Sequence, residues 1–342
     1  MERRLERETT KLRKSWMQYE QRMLCDYLVE EAEDARINIQ SILSRHFLIE
    51  ALFGDPFGAL KEAELRFAAA MNWLLKLAGK GLGSEDAQAI SCALAKGIDN
   101  AGGVEIPAFV AKIFVALPAT AEGLTIPNYI GEALDAGQFE RSRFGLAEQR
   151  KATFQLLWRR LLARRRPKCI SVLEPACGSA NDYRFLEAFG LARLGDYTGF
   201  DLCEKNIRNA RTLFPNAQFE VGNVFEIDSP DKAFDFCFVH DLFEHLSIKG
   251  MERAIAEICR VTRKGICVNF FNMAEVEDHM VRPVDDYHWN TMSMARTREL
   301  FWQAGFAVQV THIGTLLRWC LGCADTYNEG AYTFVVRVDE TG

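Results

Sequence analysis

One stretch, Ser171-Val172-Leu173-Glu174-Pro175-Ala176-Cys177-Gly178-Ser179-Ala180-Asn181-Asp182, constrains this chain more than any other. The apolar run 170–173 ends in an acid and passes at once into a turn of small residues. Asn181 and Asp182 then stand where a helix N-cap is expected. A short buried strand, a tight turn and a helix start in direct succession open a βα unit. In such a unit the turn's N–H groups and the helix N-terminus face whatever binds at the strand's carboxyl end.

The pattern continues downstream. Residues 197–201 read as a second strand ending at Asp201, 27 residues after Glu174, so the two acids belong at the ends of neighbouring strands. Further strands are expected at 217–221, 234–240, 265–271, 307–313 and 332–338, and helices at 183–189, 204–213, 248–261 and 296–304. This alternation predicts an α/β class, with a doubly wound and mostly parallel sheet covered on both faces. Residues 314–331 join the last two strands without a clear helix, which favours an antiparallel pair, because a parallel pair needs a crossover.

At these residues the chain resembles a known family. Residues 171–182 resemble motif I of the class I S-adenosylmethionine-dependent methyltransferases, and Asp201 resembles the acid of their second motif. The resemblance runs from about residue 161 to 338. It implies a Rossmann-like, seven-stranded sheet with one reversed strand, S-adenosylmethionine (S-adenosyl-L-methionine) as cofactor, and methyl transfer as the activity. The cofactor-binding residues it implies are Glu174, Ala176, Cys177 and Gly178 in the turn, Asp201 and Leu202 after the second strand, Asn223 and Val224 after the third, and His240 after the fourth. Arg143 would meet the methionyl carboxylate from helices that in this family cover the cofactor.

The chemistry of those types is consistent with the assignment. A carboxylate at Asp201 accepts charge-assisted bonds from a ribose diol. Asn223 can pair with the adenine edge while Val224 packs its ring. Glu174 can hold the cofactor's amino group or orient the turn, and small residues let the backbone come close. One departure is that alanine stands at 176 and 180, where the family commonly has glycine. Alanine disfavours positive φ, so a turn requiring it there would cost affinity. A nicotinamide fingerprint is excluded, since it wants G-x-G-x-x-G and this turn has one glycine and an acid.

Methyl transfer from a sulfonium is an in-line displacement, so the protein aligns a nucleophile and removes its proton. The candidate bases are His240, which ends the fourth strand, and His288, in the polar and aromatic loop 285–290; imidazole suits base work at neutral pH. Glu244-His245-Leu246 matches a pattern common in the family and reads as packing at a helix start. After the fourth strand stands His240-Asp241-Leu242-Phe243, not the Asp/Asn-Pro-Pro-Tyr/Phe of base and glutamine N-methyltransferases of this fold, nor a Pro-Cys nucleophile. The leading reading is therefore a small-molecule acceptor, methylated at oxygen. The alternatives are an RNA or protein acceptor docked on the arginines of 159–166, and a non-catalytic S-adenosylmethionine-binding module.

The first half reads differently. Residues 1–127 are expected to form an all-helical accessory domain, 128–166 connecting helices that cover the cofactor, and 167–342 the Rossmann-like domain. Residues 1–50 contain no glycine or proline, and Leu12, Trp16, Tyr19, Met23 and Tyr27 form an apolar stripe. That stripe is a homodimer seam, a substrate lid or an amphipathic helix packed on its own domain. Residues 97–107 read as a turn region. The net charge of −6 offers no attraction to nucleic acid. No apolar run approaches the ~18 residues of a membrane span, and the N-terminus lacks a signal's apolar core, so a cytoplasmic location is expected. Of ten cysteines only Cys320 and Cys323 form a C-x-x-C. With no second pair, free thiols are expected in place of a metal site.

Overall fold

The computed structural model describes residues 38–54, 154–163, 165–166, 170–284, 287–320 and 328–338, with parts of 7–11, 57–73 and 100–105. Seven strands form one sheet: β1 Ser171–Pro175, β2 Asp196–Asp201, β3 Gln218–Val221, β4 Phe234–His240, β5 Thr262–Phe270, β6 Phe306–His312 and β7 Tyr332–Val338. Their order is β3-β2-β1-β4-β5-β7-β6. All pairs are parallel except those of β7, which runs against both β5 and β6. The expected hairpin-like end of the sheet is therefore present. The strand order reverses between β1 and β4, where a doubly wound sheet opens its ligand crevice.

Helices α3 Asn181–Ala188, α4 Glu204–Leu213, α5 Ile248–Val261 and α6 Met294–Gln303 connect the strands. Along α5, Met251, Ala254, Ile255 and Ile258 recur at three- and four-residue steps, and all are buried. They share one core with Val239 of β4, Val268 of β5, Phe301 of α6 and Phe334 of β7. Ser247 caps α5, its Oγ accepting from the Gly250 N–H at 3.1 Å.

The opposite face is covered by α1 Ile39–Phe53. Phe236 and Phe238 alternate along β4 with Cys237 and Val239, so they point away from α5. Phe47 of α1 meets them edge-on, with ring centroids 5.7 and 5.9 Å away. The Gln40 side-chain amide donates to the carbonyls of Phe270 and Tyr332 at 3.0 and 2.9 Å, which ties α1 to the ends of β5 and β7. Arg45 and His46 both reach the buried carboxylate of Glu64, at 3.3 and 2.5 Å. Burial would raise that carboxylate's pKa, but His46 and Arg45 hold it below its ordinary value. α1 falls within the segment expected to form an accessory domain, yet it packs directly on the sheet. α2 Phe154–Ala163 buries Trp158 and Leu162.

Several local expectations are corrected. The N-cap of α3 is Ala180, in a left-handed conformation and without a side-chain bond; Asn181 and Asp182 are already helical. Within 97–107 a short ladder pairs Asn100–Ala101 with Val104–Glu105. The chain after β6 makes a helical turn at Ile313–Thr315 and a π-helical turn at Leu316–Cys320. Cys177, Cys203, Cys237, Cys259 and Cys267 are free and buried. The 12–27 stripe, Arg143 and Cys323 lie outside the described residues. Among those described, no helix is long and apolar enough to cross a membrane.

Candidate functional site

The turn after β1 holds three left-handed residues: Ala176 at φ +56°, Gly178 at +53° and Ala180 at +68°. Both alanines thus occupy backbone that disfavours a Cβ, at about 1–2 kcal/mol each. The turn is fastened from below. The Cys177 N–H donates to the Phe200 carbonyl at 3.0 Å, and the Gly178 N–H donates to Asp201 Oδ2 at 3.0 Å. Asp201 Oδ1 accepts from the Cys203 N–H at 2.8 Å and from Asn206 Nδ2 at 3.4 Å. The acid that ends β2 therefore shapes the turn after β1. A Cβ built on Gly178 would meet nothing within 4 Å among the described residues, so among them the turn is open to close approach. That opening fits the methionyl end of S-adenosylmethionine, which needs close approach to backbone.

Leu202 follows Asp201 and is half-buried. After β3, Asn223 Oδ1 accepts from the Phe225 N–H at 3.0 Å, so this side chain builds the local turn, while Val224 packs against the core.

Glu174 is 2% exposed and accepts from the Tyr197 hydroxyl at 2.5 Å. Burial, then the neighbouring Asp182 carboxylate, raise its pKa well above the usual range. Asp182, in the first turn of α3, lies 2.8 Å from His240 Nδ1. The other ring nitrogen is also engaged, with Nε2 2.6 Å from Asn269 Nδ2 and 3.1 Å from Ser44 Oγ. An amide NH₂ only donates, so Nε2 accepts from Asn269 and Nδ1–H faces Asp182. Burial lowers the His240 pKa, but Asp182 and then Asp241 outweigh it, and the net shift is upward. Thr333 Oγ1 donates to Asn269 Oδ1 at 2.7 Å. The network thus runs from α3 through β4 and β5 to α1 and β7. Asn269 was a readable signal, an amide inside the apolar run of β5; Ser44 was not, because its segment carried no motif.

Beyond the ends of β4 and β5 a second group gathers. Glu244 is fully buried, and its Oε1 accepts the N–H groups of Phe271 and Asn272 at 2.8 and 3.3 Å. Oε2 has no hydrogen-bond partner among the described residues, and burial, then Asp241, push the acid up to about 8. His245 Nδ1 lies 3.1 Å from the His288 carbonyl. Its ring is surrounded by those of Phe271, Trp289 and Tyr287, with centroids at 5.4, 5.4 and 5.8 Å. Trp289 is 40% exposed. Asn290 pins the segment down, donating through Nδ2 to the Leu246 carbonyl at 2.7 Å. Of the two expected bases, then, His240 has both ring nitrogens occupied, and His288 contributes its backbone to holding His245. Asp285 and Asp286 lie outside the described residues.

A family model described as a methyltransferase domain matches residues 173–268. The chain is 27% identical over 184 residues to a probable S-adenosylmethionine-dependent methyltransferase of Mycolicibacterium smegmatis. That match covers 50% of this chain and 65% of the relative, so the chain spans just under two thirds of its length. Among solved structures it is similar to an S-adenosylmethionine-dependent methyltransferase from Methanosarcina mazei, at 16% identity and a TM-score of 0.39, covering 52% of this chain and 96% of that one. It is also similar to 1,6-didemethyltoxoflavin-N1-methyltransferase from Burkholderia thailandensis, at 15% identity and a TM-score of 0.40, covering 54% and 76%.

Proposed function

We propose that this protein, whose residues 173–268 match a methyltransferase domain, is a class I S-adenosylmethionine-dependent methyltransferase that transfers the methyl group of S-adenosylmethionine to a small-molecule acceptor, at an oxygen. The observation that carries this reading is the turn 175–180, strained at Ala176 and Ala180, bonded to Asp201 and open above Gly178. Asp201 is assigned the ribose hydroxyls, Leu202 and Val224 the adenine faces, Asn223 the adenine edge, and the backbone of 176–178 the methionyl part. Glu174 is assigned the amino group, and His240 orients Asp182 beside it. S-adenosylmethionine, when bound, supplies a methyl already activated by its sulfonium. The chain's own work is to align the acceptor, exclude water and accept a proton.

A macromolecular acceptor is less well supported. The Arg159 guanidinium donates to the Ala188 carbonyl at 2.7 Å, at the C-terminus of α3, and Arg165 lies over the ring of Phe53 at 5.3 Å. Both arginines therefore have partners within the fold. The test is calorimetric titration with S-adenosylmethionine and S-adenosylhomocysteine, on wild type and on Asp201→Asn, with circular dichroism to verify folding. Micromolar binding by wild type, weakened at least tenfold in a folded Asp201→Asn, is expected. A folded wild type that binds neither compound overturns the reading.

A further inference from the structure

We propose that His245 is the group that takes the acceptor's proton, and that Phe271, Tyr287 and Trp289 form the wall against which a planar phenolic acceptor stacks. This rests on the methyl-transfer reading above and assigns the acceptor side of the same site. Three observations lead there. The first is the tautomer. The His288 carbonyl can only accept, so His245 Nδ1 carries the proton and Nε2 carries the lone pair. Nε2 has no hydrogen-bond partner among the described residues, whereas both nitrogens of His240 are bound.

The second is the wall. Three rings surround His245, Phe271 and Trp289 are 4.9 Å apart, and Trp289 is exposed on the outer side. Aromatic surface left open at the ligand end of the sheet offers area and stacking to a flat molecule. The third is the match of base to acid. Burial lowers the His245 pKa, so the ring is neutral at pH 7 and a weak base. A weak base needs an acidic hydroxyl, and a phenol, near 10 like tyrosine, is matched far better than an aliphatic alcohol. Among the described residues, the titratable groups on the elements packed here are Asp241 and Glu244 on the same segment, Glu8 against Ser247, and Arg282, Tyr287 and His288 at the hairpin; Phe271 brings none. In the step, the phenol O–H bond breaks and its proton passes to Nε2. The oxygen's electron pair forms the new C–O bond while the C–S bond breaks with its pair left on sulfur. The products are a methyl ether, S-adenosylhomocysteine and an imidazolium that returns its proton to water.

The test uses the full chain with S-adenosylmethionine and catechol as probe acceptor, cis-1,2-cyclohexanediol as aliphatic control, and S-adenosylhomocysteine affinity measured alongside. Catechol turnover without diol turnover is expected. In His245→Asn the amide keeps a donor for the His288 carbonyl. It should lower kcat by about 100-fold or more, remove the acidic limb of the pH–rate profile, and leave S-adenosylhomocysteine affinity unchanged. Trp289→Ala should raise the catechol KM about tenfold with little change in kcat, and Trp289→Phe should restore most of it. The proposal is overturned if wild type binds S-adenosylhomocysteine but neither binds nor methylates catechol, or if folded His245→Asn retains kcat within twofold. Failure of wild type to bind S-adenosylhomocysteine would instead overturn the cofactor reading on which the proposal stands.

Discussion

Asp182 Oδ1 lies 2.8 Å from His240 Nδ1, joining the first turn of α3 to the end of β4 across the switch point of the sheet. The ring's other nitrogen accepts from Asn269. His240→Ala takes one partner each from the half-buried Asp182 carboxylate and from the Asn269 amide, which keeps Ser44 and Thr333, at a cost of about 1–3 kcal/mol. Protonation makes Nε2 a donor, exchanging the Asn269 bond for one to Ser44 Oγ at 3.1 Å, while Nδ1–H keeps Asp182, whose charge raises the His240 pKa. A histidine whose folded pKa is raised contributes stability that is fully present below its ordinary value, about 6.5. That contribution is lost as pH rises through the folded pKa. Denaturant unfolding at pH 6 and pH 8 should therefore find His240→Ala more costly at pH 6. Taking the difference between wild type and variant cancels the other titrating groups. An equal cost at both pH values would mean that the pair is not charged in the folded state.

Ala176 offers the opposite kind of test. Its φ of +56° carries left-handed strain of about 1–2 kcal/mol. Glycine relieves it, offset by roughly 0.4–1 kcal/mol of added unfolded-state entropy. Ala176→Gly should stabilise the protein by about 0.5–1 kcal/mol, read as a higher Tm by calorimetry. Ala180→Gly should come out near neutral, because its methyl is fully buried and removing it costs about 0.8 kcal/mol. A lower Tm for Ala176→Gly would show that the turn relaxes elsewhere.

These two alanines mark how far the sequence could be read. The strands carried their own signal, for a parallel sheet buried on both faces leaves apolar runs such as Phe234–His240, whose bounds match the expected ones. Turn chemistry was legible in part: the small residues predicted close backbone approach, but the left-handed φ at Ala176 and Ala180 contradicts their own preference and appears only in three dimensions. Asn181 and Asp182 were good cap types that the strained turn displaced by one position. Buried partnerships were the least legible. Ser44 and Asn269 stand 225 residues apart and bond at 2.9 Å, and no local pattern announces a contact of that separation. His245 read as packing because Glu244-His245-Leu246 looks like a helix start; its aromatic surroundings come from the 283–290 hairpin and from Phe271.

Glu244 is a fully buried acid pushed up to about 8. An acid whose folded pKa is raised stays neutral in the fold while its unfolded counterpart ionises. Stability present below the unfolded value of 4.5 is then lost as pH rises toward 8. Glutamine keeps the shape and Oε1's acceptor role, and does not ionise. Glu244→Gln should therefore match wild type near pH 4.5 and become progressively more stable than it up to about pH 8, levelling beyond. Thermal unfolding across pH 4.5–9 measures this, and a constant offset across that range would mean that Glu244 is ionised in the fold.

Glu174 links protons to cofactor binding. Its carboxyl is held up by burial and by Asp182, with Tyr197 donating to it, so the folded apo protein holds a proton there more tightly than an ordinary carboxylate does. The amino group of S-adenosylhomocysteine is a cation, and an opposite charge placed beside a carboxyl lowers its pKa. Binding at the assigned position should then release up to about one proton. Calorimetric titrations at pH 7 in phosphate and in Tris, whose ionisation enthalpies differ, should give apparent binding enthalpies that differ accordingly. In Glu174→Gln the buffer dependence should vanish while binding persists, weakened. Equal enthalpies in both buffers for wild type would place the amino group away from Glu174 and leave that acid the task of orienting the turn through Tyr197.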